Sequence, residues 1–336
     1  MHGNKAHLPS RRQVLKAAGL AAGAAAASTF GVKRSLAAGY PERTIRIIVP
    51  FPAAGPTDVM ARILAQNLGP ALSGNVIVEN RPGASGNTGI GYVAHADADA
   101  YTLLVSSSAY VVNPSLFARI PYDPFKDFAP ITELGTTPNV IAVSRKLGIN
   151  SIAELFARAK AKPDELNYAS PGAGTTPHLS AELLKIVGGV EITHVPFSGA
   201  APAIQALIAG TTQVAVTALP AALPFVLSGE ARALALTGEH RWPDLPDVPT
   251  MIELGYKDFV AETAQFFFAP ARTPPDLVEK LAAKSIDVLK APAVVAQLRD
   301  NGYEVVSHGP EGLRQYIETE VPKWHNVIAK AGIKPV

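Results

Sequence analysis

Tyr168-Ala169-Ser170-Pro171-Gly172-Ala173-Gly174-Thr175-Thr176-Pro177-His178-Leu179 reads as a strand that ends, turns on two glycines and opens a helix. Thr176 stands as a cap residue ahead of Pro177 at the first helical position. Two further junctions have the same design. Val49-Pro50-Phe51-Pro52-Ala53-Ala54-Gly55-Pro56-Thr57-Asp58 ends a strand and starts a helix, and so does His194-Val195-Pro196-Phe197-Ser198-Gly199-Ala200-Ala201-Pro202. In open α/β folds such turns lie at the C-terminal ends of strands, where ligands bind. The unpaired N–H groups of a helix start favour an anion, and small residues let it approach the backbone. One such turn is an ordinary cap; three on one chain point to an anion pocket.

Outward from these turns the chain alternates short β-branched runs with longer amphipathic ones. Strands are expected at 45–49, 76–79, 101–105, 140–143, 166–169, 192–195, 213–217, 233–237 and 264–268, with helices at 57–68, 151–160, 177–187 and 200–209. This alternation predicts an α/β fold with mostly parallel sheets. Ser151-Ile152-Ala153-Glu154 is a capping box, and Thr273 before Pro274 is a further cap. From Thr273 the pattern turns helical, through 277–289, 294–300 and 311–331. The expected layout is two lobes: residues 39–140 plus 266–336 form the first and 141–265 the second, with crossings near 139–143 and 265–269.

The N-terminus reads as an export signal. Ser10-Arg11-Arg12-Gln13-Val14-Leu15-Lys16 precedes an Ala/Gly-rich stretch over 17–31, and Ser35-Leu36-Ala37-Ala38 offers a cleavage site. The paired arginines favour the twin-arginine route, while Val14 leaves Sec export open. The stretch is too alanine-rich for a membrane anchor, which wants about 20 strongly apolar residues. The whole chain has 30 basic and 28 acidic residues; residues 1–38 hold six of the basic ones and no acid, leaving a mature chain with a net charge of −4. A nucleic-acid role therefore loses its basic face. The absence of cysteine removes disulfides, thiolate metal sites and a cysteine nucleophile.

Rival chemistries find little support. Gly172-Ala173-Gly174 with Glu191 resembles a dinucleotide fingerprint, but Pro177 occupies the third glycine position. The histidines are scattered without metal-ligand spacing, so no metal and no cofactor is expected. Gly83-Ala84-Ser85-Gly86 lacks the residue that a nucleophile elbow needs between serine and the second glycine. His178 could touch a ligand carboxylate or simply cap and pack. Asp58 is expected to brace its loop, since an anion site disfavours an ionised carboxylate pointing inward. Within Phe266-Phe267-Phe268 one ring could line the cleft, because alternate strand residues face opposite sides. No arginine lies in the three loops, so backbone and hydroxyl donors must hold a carboxylate.

At these residues the chain resembles the Bug proteins, the extracytoplasmic receptors of tripartite tricarboxylate transporters. The likeness runs through the first loop and then Val78-Glu79-Asn80-Arg81-Pro82-Gly83-Ala84-Ser85-Gly86-Asn87, Tyr101-Thr102-Leu103-Leu104 and Pro121-Tyr122-Asp123. It continues through the second and third loops to Arg232-Ala233-Leu234-Ala235 and Pro246-Asp247-Val248-Pro249-Thr250. The resemblance implies a two-lobed periplasmic-binding-protein fold of the type II-like Venus-flytrap kind, with the C-terminal helices returning to the first lobe. It implies no enzymatic activity but capture of a small carboxylate, dicarboxylate or aromatic, by a monomer that serves membrane permease subunits in the periplasm. Carried over, the ligand contacts are Phe51, Ala53, Ala54, Gly55 and Thr57 from the first loop, and Ser170, Gly172, Gly174, Thr175, Thr176 and His178 from the second. Ser198, Gly199 and Ala201 add donors from the third. Three departures stand out. Ala54 replaces the family's usual glycine, Thr217 stands where many members have an acid, and Gln265-Phe266 replaces a tryptophan-containing segment; Thr217, Gln265 and Phe266 are likewise expected at the ligand, the glutamine reaching a polar ligand end and the phenylalanine reshaping the pocket. The missing acid disfavours an amino-acid ligand. The alternatives are a ligand-presenting part of a sensor system and a periplasmic hydrolase.

Overall fold

The computed structural model describes residues 39–330 apart from 164 and 258, so the export signal lies outside the described residues. Ten strands follow in chain order: β1 (Ile45–Val49), β2 (Val76–Asn80), β3 (Thr102–Ser107), β4 (Phe128–Ser144), β5 (Asn167–Ser170), β6 (Thr193–Pro196), β7 (Val214–Ala218), β8 (Ala231–Leu236), β9 (Glu262–Pro270) and β10 (Glu304–Val305). The helices are α1 (Pro56–Leu72), α2 (Asn87–Ala94), α3 (Ala109–Leu116), α4 (Ile152–Ala161), α5 (Thr176–Gly188), α6 (Ala200–Ala209), α7 (Leu219–Leu227), α8 (Pro275–Lys290), α9 (Pro292–Asp300) and α10 (Pro310–Lys330). Among the described residues no helix is long and apolar enough to cross a membrane.

The strands join in the order β2-β1-β3-β9-β4-β7-β5-β6, with β10 and β8 also on β4. The outer pairs β1–β2, β1–β3, β5–β6 and β5–β7 are parallel. The centre is antiparallel, which corrects the expectation of mostly parallel sheets. The reason is β4, a strand that serves both lobes. Up to Pro138 it pairs with β9; from Asn139 it pairs with β7, and from Val140 also with β8. The chain returns along β9, whose pairing with β4 starts at Glu262, ahead of the expected return near 265–269.

Alternation along the strands divides each lobe into two apolar layers. In the first lobe, Ile47, Val49, Leu103, Val105 and Phe267 face α1, α8 and α9, while Ile48, Leu104, Phe266 and Phe268 face α2, α3 and α10. In the second, Ile141, Val143, Tyr168 and Val216 pack with α4 and α5, while Val140, Ala142, Ala169 and Ala215 pack with α6 and α7. The fold is thus a two-lobed α/β sandwich whose C-terminal helices return to the first lobe. Leu179, on the first turn of α5, is buried in the first lobe's second layer, so the two halves interlock.

Two expected caps shift by one residue. Thr175, rather than Thr176, caps α5, its side chain accepting from the His178 N–H. Pro274, not Thr273, stands at the N-cap of α8, and the Thr273 hydroxyl is buried without a partner. Each proline is tolerated because a first-turn N–H has no intrahelical acceptor.

Candidate functional site

The three quoted turns converge on one cleft between the lobes. Its lining includes Phe51, Pro52, Ala53, Gly55 and Thr57 from the first turn, Thr175, Thr176 and Pro177 from the second, and Gly199, Ala200 and Ala201 from the third. The turns touch one another. A Cβ added to Gly199 would lie 3.1 Å from Pro52 Cγ, and one on Gly172 would lie 3.2 Å from the Phe197 carbonyl oxygen.

Local sequence explains the arrangement. Gly55 caps α1 and Gly199 caps α6, and neither makes a side-chain cap bond. The N–H groups of Thr57, Ala200 and Ala201 belong to residues that line the cleft and have no backbone acceptor among the described residues. Thr175, by contrast, spends its hydroxyl on its own loop, donating to the Gly172 carbonyl at 2.8 Å. A helix start contributes up to about 2 kcal/mol to a partly buried anion, so several together supply what a single basic side chain otherwise does. None of the residues lining the cleft is Lys or Arg.

Asp58 is turned away from the cleft into its own loop. It accepts from the Ala54 N–H at 2.9 Å, Arg62 Nε at 2.8 Å and Asn80 Nδ2 at 2.8 Å. Burial pushes its carboxyl up, but the bonds from Arg62, Asn80 and Ala54 outweigh burial and hold it below the usual carboxylate range. Ala54 sits at the exposed corner of this turn with φ 62, a left-handed conformation that an alanine adopts at a cost of about 1–2 kcal/mol. It does not line the cleft.

Other expected contacts lie elsewhere. Gly172 and Ser198 line an adjoining interlobe pocket with Phe51, Pro171, Ser85 and Gly86. Ser170 is fully buried, its hydroxyl 2.7 Å from His194 Nε2. His178 is buried behind the turn, stacked on the His194 ring at 4.4 Å, with Nδ1 accepting from the Gly174 N–H at 3.3 Å. Burial, then the neighbouring His178, lowers His194 to about 4; burial also lowers His178. Gly174 is pressed against α3: a Cβ there would lie 2.7 Å from Leu116 Cδ2 and 2.9 Å from Asn113 Oδ1. Thr217 donates to the Ala218 carbonyl inside the second lobe. Phe266 faces the core, 5.1 Å from the Tyr316 ring, because β9 turns its even-numbered rings toward α10. Gln265 is buried next to the cleft wall and does not itself line the cleft.

Sequence reading missed the hinge side of the cleft. Ser107, Ala218 and Thr263 line it, and Thr263 anchors a buried polar network. Its hydroxyl donates to Asn139 Oδ1 at 2.9 Å and lies 2.8 Å from the Thr176 hydroxyl. Asn139 Nδ2 in turn donates to the Ala261 carbonyl at 2.9 Å and the Ser180 hydroxyl at 3.0 Å. Both crossing strands are thereby tied to the start of α5. Their only sequence signal was a polar residue inside a run of apolar strand positions.

Comparison with known proteins agrees with this geometry. The family described as "Tripartite tricarboxylate transporter family receptor" matches residues 60–333. The chain is 37% identical over 310 residues to Protein BugT of Bordetella pertussis, covering 91% of this chain and 95% of that one. Among solved structures it is similar to R. palustris Rpa4515 with adipate, at 34% identity and TM-score 0.86 over 88% of this chain and 100% of that one. It is also similar to MatC from Rhodopseudomonas palustris with bound malate, at 32% identity and TM-score 0.82 over 86% and 100%. The periplasmic binding protein BugD matches at 34% identity and TM-score 0.85 over 88% and 100%. The chain therefore belongs to the Bug family of tripartite tricarboxylate transporter receptors, and its task is to bind a solute.

Proposed function

We propose that the solute is a small carboxylate, held by main-chain N–H groups rather than by a charged side chain or a metal. The observation that carries this reading is the meeting of two glycine-capped helix starts, at Gly55 and Gly199, across one cleft without a basic residue. A carboxylate docks on the N–H groups of Ala200, Ala201 and Thr176 in the second lobe. The first lobe then closes with the N–H groups of Gly55 and Thr57, and water is expelled or trapped. Relatives solved with adipate and malate support this class of ligand.

No bond is made or broken in this cycle. The Ser170–His194 contact would suit a hydrolase, but Ser170 is fully buried, and Glu182, the nearby acid, is engaged by Tyr168 at 2.6 Å and Lys185 at 3.0 Å. The receptor works as a monomer in the periplasm, after twin-arginine export and cleavage near Ala37-Ala38. It passes its ligand to the permease subunits. A thermal-shift screen of small organic acids tests the reading. A binder at 100 times its Kd stabilises by about 2.7 kcal/mol; if no organic acid raises the melting temperature, the reading fails.

A further inference from the structure

Gln265 is fully buried, and neither its amide nitrogen nor its amide oxygen has a hydrogen-bond partner. An unmade bond on a buried amide is costly, so the group calls for a partner that the chain does not supply, and beside a cleft a bound molecule or its water can be that partner. The position of Gln265 says what that is. In the ladder it lies directly opposite Ser107, a residue that lines the cleft. Two residues back on β9, and so on the same face, is Thr263, another cleft residue. Cross-strand and next-but-one neighbours on a sheet face lie about 5–8 Å apart. The unpartnered amide is therefore one side-chain layer from the ligand space, on the first-lobe side, where the ligand's end remote from the second lobe arrives.

Resting on the carboxylate reading above, we infer that Gln265 is the specificity-determining residue for the ligand's second end, donating its amide N–H to an oxygen there across one bridging water. The residue acts on binding alone. It distinguishes an acid with two oxygen-bearing ends from an equally long acid with an apolar tail.

The test is a paired titration by calorimetry. Straight-chain dicarboxylates from three to eight carbons are compared with monocarboxylates of equal length, on the wild type and on Gln265→Met, which keeps the volume and removes the amide. The ω-hydroxy acids of the same lengths form a third arm, which separates a carboxylate from a hydroxyl as the group read. The wild type prefers the two-ended acids at its best length. Gln265→Met loses about tenfold or more in affinity for them, changes monocarboxylate affinity little, and melts no lower than wild type in the absence of ligand. Parallel weakening of both series, or no change in either, overturns the role of Gln265 and leaves the carboxylate reading standing. A wild type that prefers monocarboxylates at every length also overturns it. A wild type that binds no member of any series overturns the role of Gln265, and if the thermal-shift screen of organic acids is also empty the carboxylate reading falls with it.

Discussion

The first and second turns hold their shapes by different means. The first, from Phe51 to Thr57, is braced inside its own lobe: Asp58 ties Ala54, Arg62 and Asn80 together, and the Tyr303 hydroxyl donates to the Pro56 carbonyl. The second leans on the opposite lobe. Gly174 rests on Asn113 and Leu116 of α3, and the Ser85 hydroxyl donates to the Ala173 carbonyl at 2.5 Å. One wall of the cleft is thus set before the lobes meet, and the other is completed by their meeting. A ligand that bridges both adds to an interlobe contact that already exists, which is how binding energy becomes closure.

The largest effect is expected where the second turn meets α3. Gly174 has φ 82 and no room for a Cβ, so Gly174→Val blocks the closed arrangement. Affinity for the best carboxylate falls by about 100-fold or more, equivalent to about 2.7 kcal/mol. Small-angle scattering shows the variant staying extended with ligand present. A variant that closes and binds normally breaks the contrast between the turns.

Next is the pH response behind the second turn, where His194 of β6 packs on Ser170 and His178. His194 is held at about 4, below its ordinary 6.5, by burial. The unfolded chain takes up a proton near pH 6.5 and the folded chain does not until about 4, so stability is lost as pH falls through that window. The loss is about 3 kcal/mol. Urea melts from pH 7 to pH 4 measure it, and His194→Gln flattens the curve; an unchanged pH profile in that variant contradicts the assignment. The first turn responds lower down. Asp58 has a depressed pKa, so its contribution is complete above the ordinary carboxylate value and disappears only as pH falls through its lowered one.

Asp58→Ala removes the first turn's internal brace. Leaving Asn80, Arg62 and the Ala54 N–H without their acceptor costs about 2 kcal/mol of stability at pH 7, read by denaturant melts. Affinity falls because the turn is no longer preformed. The smallest effect is at Ala54. Ala54→Gly relieves the left-handed strain at φ 62, partly offset by a more flexible unfolded chain, for a gain of about 1 kcal/mol or less. A loss of stability there means that the turn is not strained.

How much of this was legible in the sequence follows from what each residue depends on. Periodicity placed β1 to β3, β5 to β8 and the helices α1, α5 and α6 that start at the three turns, because those depend on neighbours a few residues away, but not the two-residue β10, which exists only by pairing with β4. It missed the first half of β4, since Phe128-Ala129-Pro130-Ile131-Thr132-Glu133 carries an internal proline and a buried acid, tolerated beside register shifts in its pairing with β9. In the site, the turns were recognisable because glycine and proline fix them locally. Ser107, Asn139 and Thr263 were not, since their roles come from pairings between distant segments, such as Thr263 to Asn139. Ser170, Gly174, His178, Thr217 and Phe266 were expected at the ligand and are not among the residues lining the cleft, because strand faces and loop depth are set by packing that one segment does not reveal.

The central claim is that main-chain amides at uncapped helix starts hold the anion, and amide chemical shifts report it directly. In a titration with the best carboxylate from the screen, the largest 1H and 15N shifts are expected at Gly55, Thr57, Ala200 and Ala201, saturating together at one ligand per chain. Shifts centred instead on arginine or lysine side chains away from the cleft, with those four amides unmoved at saturation, contradict the account.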